Sequence, residues 1–217
     1  MTQYSDFLLL IILALNMYIV ATGNLLSGIK AMAFQGMALA FLPLVLWGYH
    51  MQGAVIHILL ITVSTLGIKT FLIPFLLFRS VKEANVTREV EPFVSLHLSI
   101  LAASVIAGIS FWLAHVMPLP VAASSPLLLP VAFATVLIGF LILVSRKKAI
   151  TQIIGYLMLE NGIFIFGQLL AESIPFLIEM CILLDLLVGV LVMGIAIHHI
   201  SREFDHIDTE LLSDLKD

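Results

Sequence analysis

Charge is scarce in this chain: only 11% of its 217 residues are Asp, Glu, Lys or Arg, whereas a soluble domain carries about a quarter. That scarcity excludes an ordinary water-soluble core of this length. Cysteine is scarcer still. The single Cys181 lies in an apolar run, which excludes a disulfide framework, a cysteine metal site and a ligand set for an iron–sulfur cluster. No glycine-rich phosphate loop, nucleotide-fold segment or internal repeat is present. The stretch from Met1 to Asp6 lacks both a basic region and a small-residue cleavage site. The first apolar run is therefore expected to be a retained helix and not a signal peptide.

What the sequence does have is hydrophobic side chains, 61% of all residues, with a mean hydropathy of +1.15. A bilayer solvates such a surface, and about 20 apolar residues span it as a helix. Runs of that kind fall at residues 5–25, 31–49, 54–78, 93–115, 126–145, 150–171 and 175–199. The fold expected is all-α, a polytopic membrane protein of about seven transmembrane helices. Pro43 and Pro74 lie inside the second and third runs, where neighbouring helices can satisfy the freed carbonyls. Met117-Pro118-Leu119-Pro120 through Ser124-Ser125-Pro126 reads as a loop. Three regions result: a four-helix part (1–120), a three-helix part (121–200) and a polar, acidic tail (201–217) in which Leu211, Leu212 and Leu215 suit a short surface helix.

The basic residues fix an orientation. Lys30 follows the first run; Arg79, Lys82 and Arg88 follow the third; Arg146, Lys147 and Lys148 follow the fifth; Arg202 and Lys216 follow the seventh. The intervening loops and the N-terminus carry no Lys or Arg at all. Under the positive-inside rule the N-terminus is outside and the C-terminal tail cytoplasmic.

Lys69 is the remaining basic residue, and it sits within the third run about ten residues from Arg79, hence ~15 Å deep. Glu160 lies twelve residues beyond Lys148, or ~18 Å deep. Asp185 is near the middle of the seventh run, with Glu179 about two turns nearer the outside. Placing a charge at that depth costs about 2.5–3.5 kcal/mol on insertion scales, so such groups face a bundle interior, a partner charge or water. The functional reading is a lateral proton relay through Lys69, Glu160 and Asp185; the bland one is an ion pair that orients helices. His97, near the cytoplasmic end of the fourth run, could pass protons inward. In the alternative arrangement Lys69 clusters with His97 and Arg79. The adjacent His198 and His199 lack the i, i+4 spacing of a metal grip, and no metal is expected. Asn16 and Asn24 are read as knitting helices together, and the phenylalanines and methionines as packing.

The C-terminal runs resemble a known family. "KKAITQIIGYLMLENGIFIFGQLL" from Lys147, followed by "PFLIEMCILLDLLVGVLVMGIAIHHISREFDHIDTELLSDLKD", is similar to the K subunit of respiratory complex I and its antiporter C-subunit relatives. That family carries a buried acid on each of two successive helices. Aligned on Ile154-Gly155, the family's first acid falls on Leu157, one turn before Glu160, while Asp185 with Val188-Gly189 matches the second. The whole chain, with "GIKTFLIPFLLFR", "YLMLENG" and "EMCILLDLLVGVLVMGI", resembles membrane component E of hydrogenase-4, found in formate hydrogenlyase-type complexes.

That resemblance implies a non-catalytic subunit of a complex I-related, proton-translocating nickel–iron hydrogenase in a prokaryotic inner membrane. Joined to the reading of the buried charges above, it gives an expected proton path of Glu160, Asp185, Lys69, Glu179 and His97. The expected partners are antiporter-like membrane subunits, a complex I-like membrane anchor, soluble hydrogenase subunits and lipid, not nucleic acid. This chain would hold no cofactor, the nickel–iron centre and iron–sulfur clusters being on partners. Two other classes compete: a subunit of a multisubunit cation/proton antiporter without a redox partner, and a purely structural scaffold. Neighbouring hydrogenase genes would favour the hydrogenase subunit over the antiporter subunit, and their absence the reverse. Acid-to-amide replacements that leave activity intact would single out the scaffold.

Overall fold

The computed structural model describes residues 2–47, 55–83, 93–117, 125–170 and 187. All regular structure among them is helical: α1 (Thr2–Ala21), α2 (Leu25–Trp47), α3 (Val55–Thr65), a π-helical segment (Leu66–Leu72), α4 (Ile73–Glu83), α5 (Leu96–Val116), α6 (Leu128–Ser145) and α7 (Ala149–Leu170). Thr65 and Ile73, at the two ends of the π segment, both keep right-handed helical backbone angles. α3, the π segment and α4 are thus one continuous rod. The described residues give six helices long and apolar enough to cross a membrane, which makes this a multi-pass membrane protein. Apart from Leu187, the seventh expected run, with Glu179 and Asp185, lies outside the described residues, as does the polar tail.

Two boundaries differ from the sequence expectation: the third span continues past residue 78 through Arg79 and Lys82 to Glu83, and the first turn falls earlier than expected. The chain turns at Thr22-Gly23-Asn24, not near Lys30. Asn24 Oδ1 accepts from the backbone N–H of Leu26 (3.0 Å) and of Ser27 (3.4 Å), satisfying donors that the first turn of α2 leaves unpaired. Asn24 is therefore a helix cap and not a bridge between helices, and Lys30 lies inside α2 on an exposed position. Counting apolar residues cannot see a three-residue turn between two hydrophobic runs. A second cap fits its sequence: Ser95 Oγ accepts from the backbone N–H of Leu98 at 3.4 Å and starts α5.

α6 and α7 form the most extensively packed pair. Glycines set their separation. A Cβ at Gly139 would lie 2.5 Å from the Leu159 nitrogen, one at Gly155 2.7 Å from the Leu143 nitrogen, and one at Gly162 2.6 Å from the Val136 nitrogen. Lipid tails are as apolar as leucine, so close backbone approach at small residues drives such helix pairs together. α1 and α2 pack against this hairpin, while α5 lies at the periphery with much of its surface exposed, Leu101 and Trp112 among the residues presented outward.

The buried hydrophobic residues fall into two clusters stacked along the bundle. One holds Val20, Ile29, Leu77, Ile142 and Ile154; the other holds Leu9, Leu39, Ile58, Leu128 and Phe164. Each end of the bundle is tied by a polar contact between α1 and a residue flanking α6. At one end Ser125 Oγ donates to Asp6 Oδ1. At the other, buried Arg146 donates through Nη2 to the Val20 carbonyl at 3.1 Å, a cation at the negative end of the α1 dipole. Arg146 is thus part of the packed end and not a free loop residue.

Candidate functional site: a polar layer inside the membrane

Between the two apolar clusters every core helix contributes a polar side chain. Along α1, Asn16 follows Leu9 and Ile12 of one cluster and precedes Ile19 and Val20 of the other; Gln35 and the Glu160-Asn161 pair divide α2 and α7 in the same way, and Thr135 lies at the changeover in α6, next to Ala134. Asn16, Gln35, Lys69, Thr135, Glu160 and Asn161 are all buried. Six buried polar groups in hydrocarbon are tolerable only if they satisfy one another.

Apart from one carboxylate oxygen of Glu160, they do so in a single chain. Lys69 Nζ donates to Asn161 Oδ1 at 2.9 Å and to Glu160 Oε1 at 3.4 Å. Asn161 Nδ2 donates to Gln35 Oε1 at 3.3 Å, and Gln35 Nε2 to Asn16 Oδ1 at 2.7 Å. Asn16 Nδ2 donates to Thr135 Oγ1 at 2.7 Å, whose hydroxyl donates to the Val131 carbonyl, also at 2.7 Å. The row crosses from the third span through α7, α2 and α1 to α6. The Lys69 ammonium also lies 5.6 Å from the centroid of the Phe164 ring, one turn beyond Glu160 on α7, a distance at which the ring face attracts a cation. Glu160 Oε2 is buried without a hydrogen-bond partner among the described residues.

Local backbone explains why Lys69 reaches this layer. Pro74 lacks an N–H, and in a regular α-helix its ring would press on the carbonyl four residues back. The preceding turns widen: the N–H of Ile73 bonds to the carbonyl of Ile68, five residues back. π turns of this kind are frequent at functional sites. α2 receives the widened backbone at Gly36, where a Cβ would lie 2.9 Å from Lys69 Cβ and 3.0 Å from its carbonyl carbon. A crevice of ≈ 10 Å³ opens between α4 and α7 beside Lys69 and Asn161, room for about one water by that measure.

Of the sequence-predicted site residues, Lys69 and Glu160 are brought together. Lys69 is not part of a cluster with His97: that residue is exposed in the first turn of α5, beside the α1–α2 turn, where Leu96 approaches Gly23 and the Phe93 N–H bonds to the Ser145 carbonyl. Asp185 and Glu179 lie outside the described residues. Asn16 joins α1, α2 and α6, as its sequence reading held. Gln35, Asn161 and Thr135 were not expected; each is an amide or hydroxyl within an apolar run, which was the available signal. Among the described residues no group of three His, Cys, Asp or Glu could hold a metal ion.

The fold and the polar layer define a multi-pass helical membrane protein with an ion pair locked at mid-depth. Its family is that of the uncharacterized protein Rv0085 of Mycobacterium tuberculosis, to which the chain belongs: the two are 32% identical over 207 residues, 93% of this chain and 91% of that protein. It is also similar to hydrogenase-4 component E of Escherichia coli K12, with 33% identity over 119 residues, and to the component of the same name in Shigella flexneri, with the same figures. These matches cover 55% of this chain and 55% of each component, so the chain spans about half the length of those relatives. No family model matches the sequence. No solved structure matches it either.

Proposed function

We propose that this chain is a membrane subunit of a hydrogenase-type complex in a prokaryotic inner membrane, and that the Lys69–Glu160 pair is a station on a lateral proton path. The observation that carries the reading is the pair itself: an ammonium and a carboxylate 3.4 Å apart, with 4% and 2% of their side-chain surfaces exposed. Partial similarity to hydrogenase-4 component E supplies the complex. Asp185, Glu179 and His97 extend the path in this reading, the first two on a seventh span. Antiporter-like subunits, a complex I-like membrane anchor and soluble hydrogenase subunits are the partners, the nickel–iron and iron–sulfur chemistry residing on them. The chain then divides at residue 120 into a four-helix part and a K-subunit-like part, with a cytoplasmic tail from 201.

The chemistry available to the pair is charge exchange. A proton moving from Lys69 to Glu160 neutralises both groups, and one arriving at Glu160 from elsewhere removes the negative charge that this carboxylate sets against the ammonium. Unit charges ~8 Å apart at an effective dielectric of ~20 interact by about 2 kcal/mol, enough to move a neighbouring titration by more than one pH unit. A proton on Asp185 at such a distance would bias the pair. That sensitivity is what a link between pumping subunits requires.

The burial of Lys69 among hydrogen-bonding partners also favours a second reading, a helix lock with no proton traffic. Vesicles carrying the assembled complex separate the two. Glu160→Gln and Lys69→Met should each lower hydrogenase-coupled proton movement tenfold or more while copurification in mild detergent shows the subunits still assembled. Assembled variants with unchanged proton movement would overturn the station and leave the lock. Absence of hydrogenase subunits from the purified assembly would overturn the complex.

A further inference from the structure

We infer that the amides of Asn161, Gln35 and Asn16, together with the Thr135 hydroxyl, form a reversible hydrogen-bond chain whose sense follows the charge on Lys69, so that they position the ammonium and carry its state to α1 and α6. The inference deepens the reading of Lys69–Glu160 as a proton station and rests on it.

A protonated lysine only donates. Asn161 must therefore turn Oδ1 toward Lys69, at 2.9 Å. Its Nδ2 then faces Gln35, which must present Oε1; Gln35 in turn donates to Asn16, and Asn16 to Thr135. Thr135 directs its own proton to the Val131 carbonyl. Each link thus has one permitted sense, dictated by the ammonium at one end and the carbonyl at the other.

Loss of the proton reverses the dictation. In a transfer to Glu160, an N–H bond of Lys69 breaks, its electron pair stays on Nζ as a lone pair, and an O–H bond forms on the carboxylate; nothing is oxidised or reduced. The neutral amine can now accept. A half-turn of an amide about its last torsion exchanges oxygen and nitrogen in place, so the same heavy-atom frame serves both senses. Asn161 then offers Nδ2 to Lys69, Gln35 and Asn16 follow, and the Thr135 hydroxyl swings from the Val131 carbonyl to the Asn16 oxygen. That carbonyl remains served by the backbone ladder of α6. A chain reversed only part of the way would oppose two oxygens or two NH2 groups in a buried layer, which is costly; the reversal is concerted.

Among the described residues, Glu160 and Asn161 face Lys69 from α7, α2 offers Met32 and Gly36, and α4 offers Pro74 and Leu77; of these only Glu160 titrates.

The test is solid-state NMR of the full chain in liposomes, with 15N in its Lys, Asn and Gln side chains, titrated with pH. The Asn161, Gln35 and Asn16 side-chain nitrogens should shift with the same midpoint as Lys69 Nζ. In Lys69→Met they should stay fixed over that range, and in Gln35→Met only Asn161 should follow Lys69. The wild-type titration decides by itself should a variant not fold. Amides that stay fixed while Lys69 titrates, or a Lys69 that holds its proton throughout with fixed amides, would overturn the chain. None of these signals needs a partner complex. Amides that follow Lys69 would uphold the chain even if Lys69→Met left coupled proton movement intact, an outcome that would remove only the proton station.

Discussion

Lys69 holds Asn161 at 2.9 Å and Glu160 at 3.4 Å, so the shorter contact of this buried cation is to a neutral amide. The ammonium is positioned by the amide row and balanced by the acid, and the two roles fall on adjacent residues of α7. Removing one member of a buried pair strands the other, a loss of about 3–5 kcal/mol, which is why assembly has to be monitored beside function. Gly36 is the position at which α2 admits this arrangement. Gly36→Ala should destabilise the protein by roughly 1–3 kcal/mol, the usual cost of overpacking, because its new Cβ would meet Lys69 backbone and Cβ at 2.9–3.0 Å. Gly108→Ala, with nothing within 4 Å of the added carbon, should be neutral or stabilising through helix propensity. Thermal unfolding of the two variants in mild detergent compares them directly; equal stabilities would mean that the Gly36 contact relaxes at no cost.

Two helical elements depart from plain α-helix packing, and each departure has a cause in the sequence. Pro74 withholds a donor and occupies space, and the turns before it open into a π segment that carries Lys69. Gly139, Gly155 and Gly162 let α6 and α7 meet backbone to backbone. The consequence is that Glu160 and Asn161 sit on the helix held most firmly, while Lys69 reaches them from a rod that makes its closest approach to α2. Gly155→Ala should loosen the α6–α7 pair by roughly 1–3 kcal/mol, and Gly155→Val should exceed it, since the obstructing atoms are the backbone of Leu143 and Gly139. Detergent-driven unfolding curves measure the difference; a Gly155→Val protein as stable as the parent would contradict the close approach.

Across the whole molecule, the polar contacts at the two bundle ends have different chemistry. Asp6 and Ser125 close the end at which α1 and α6 begin, and Arg146 closes the end at which they finish. Lys82, in the last turn of α4, and Lys147 and Lys148, just after α6, lie on helices that run toward the Arg146 end, the distribution expected of a cytoplasmic face. Single cysteines introduced at Ser124 and Ser80 report the orientation: a membrane-impermeant thiol reagent applied from the periplasmic side should modify the first and not the second. Modification of both from that side would sink the proposed topology.

Composition by itself determined that the protein lives in a bilayer, because no other solvent takes up this much apolar surface, and run length determined where the described spans lie. It also marked Lys69 and Glu160, since a charge inside an apolar run is conspicuous at any level of description. Tertiary structure decided which group answers which. Residue counting gives depth along a helix but not rotation about it, and rotation is what turns Lys69 toward Glu160 and Asn161 and leaves His97 exposed on another helix. Gln35, Thr135 and Asn161 drew no notice in the sequence because single amides and hydroxyls are common in membrane helices; only their alignment at one level, between two apolar clusters, makes them a chain. The turn at Asn24 was invisible for the converse reason. A cap is a hydrogen bond of a few atoms, and hydropathy averages over many residues.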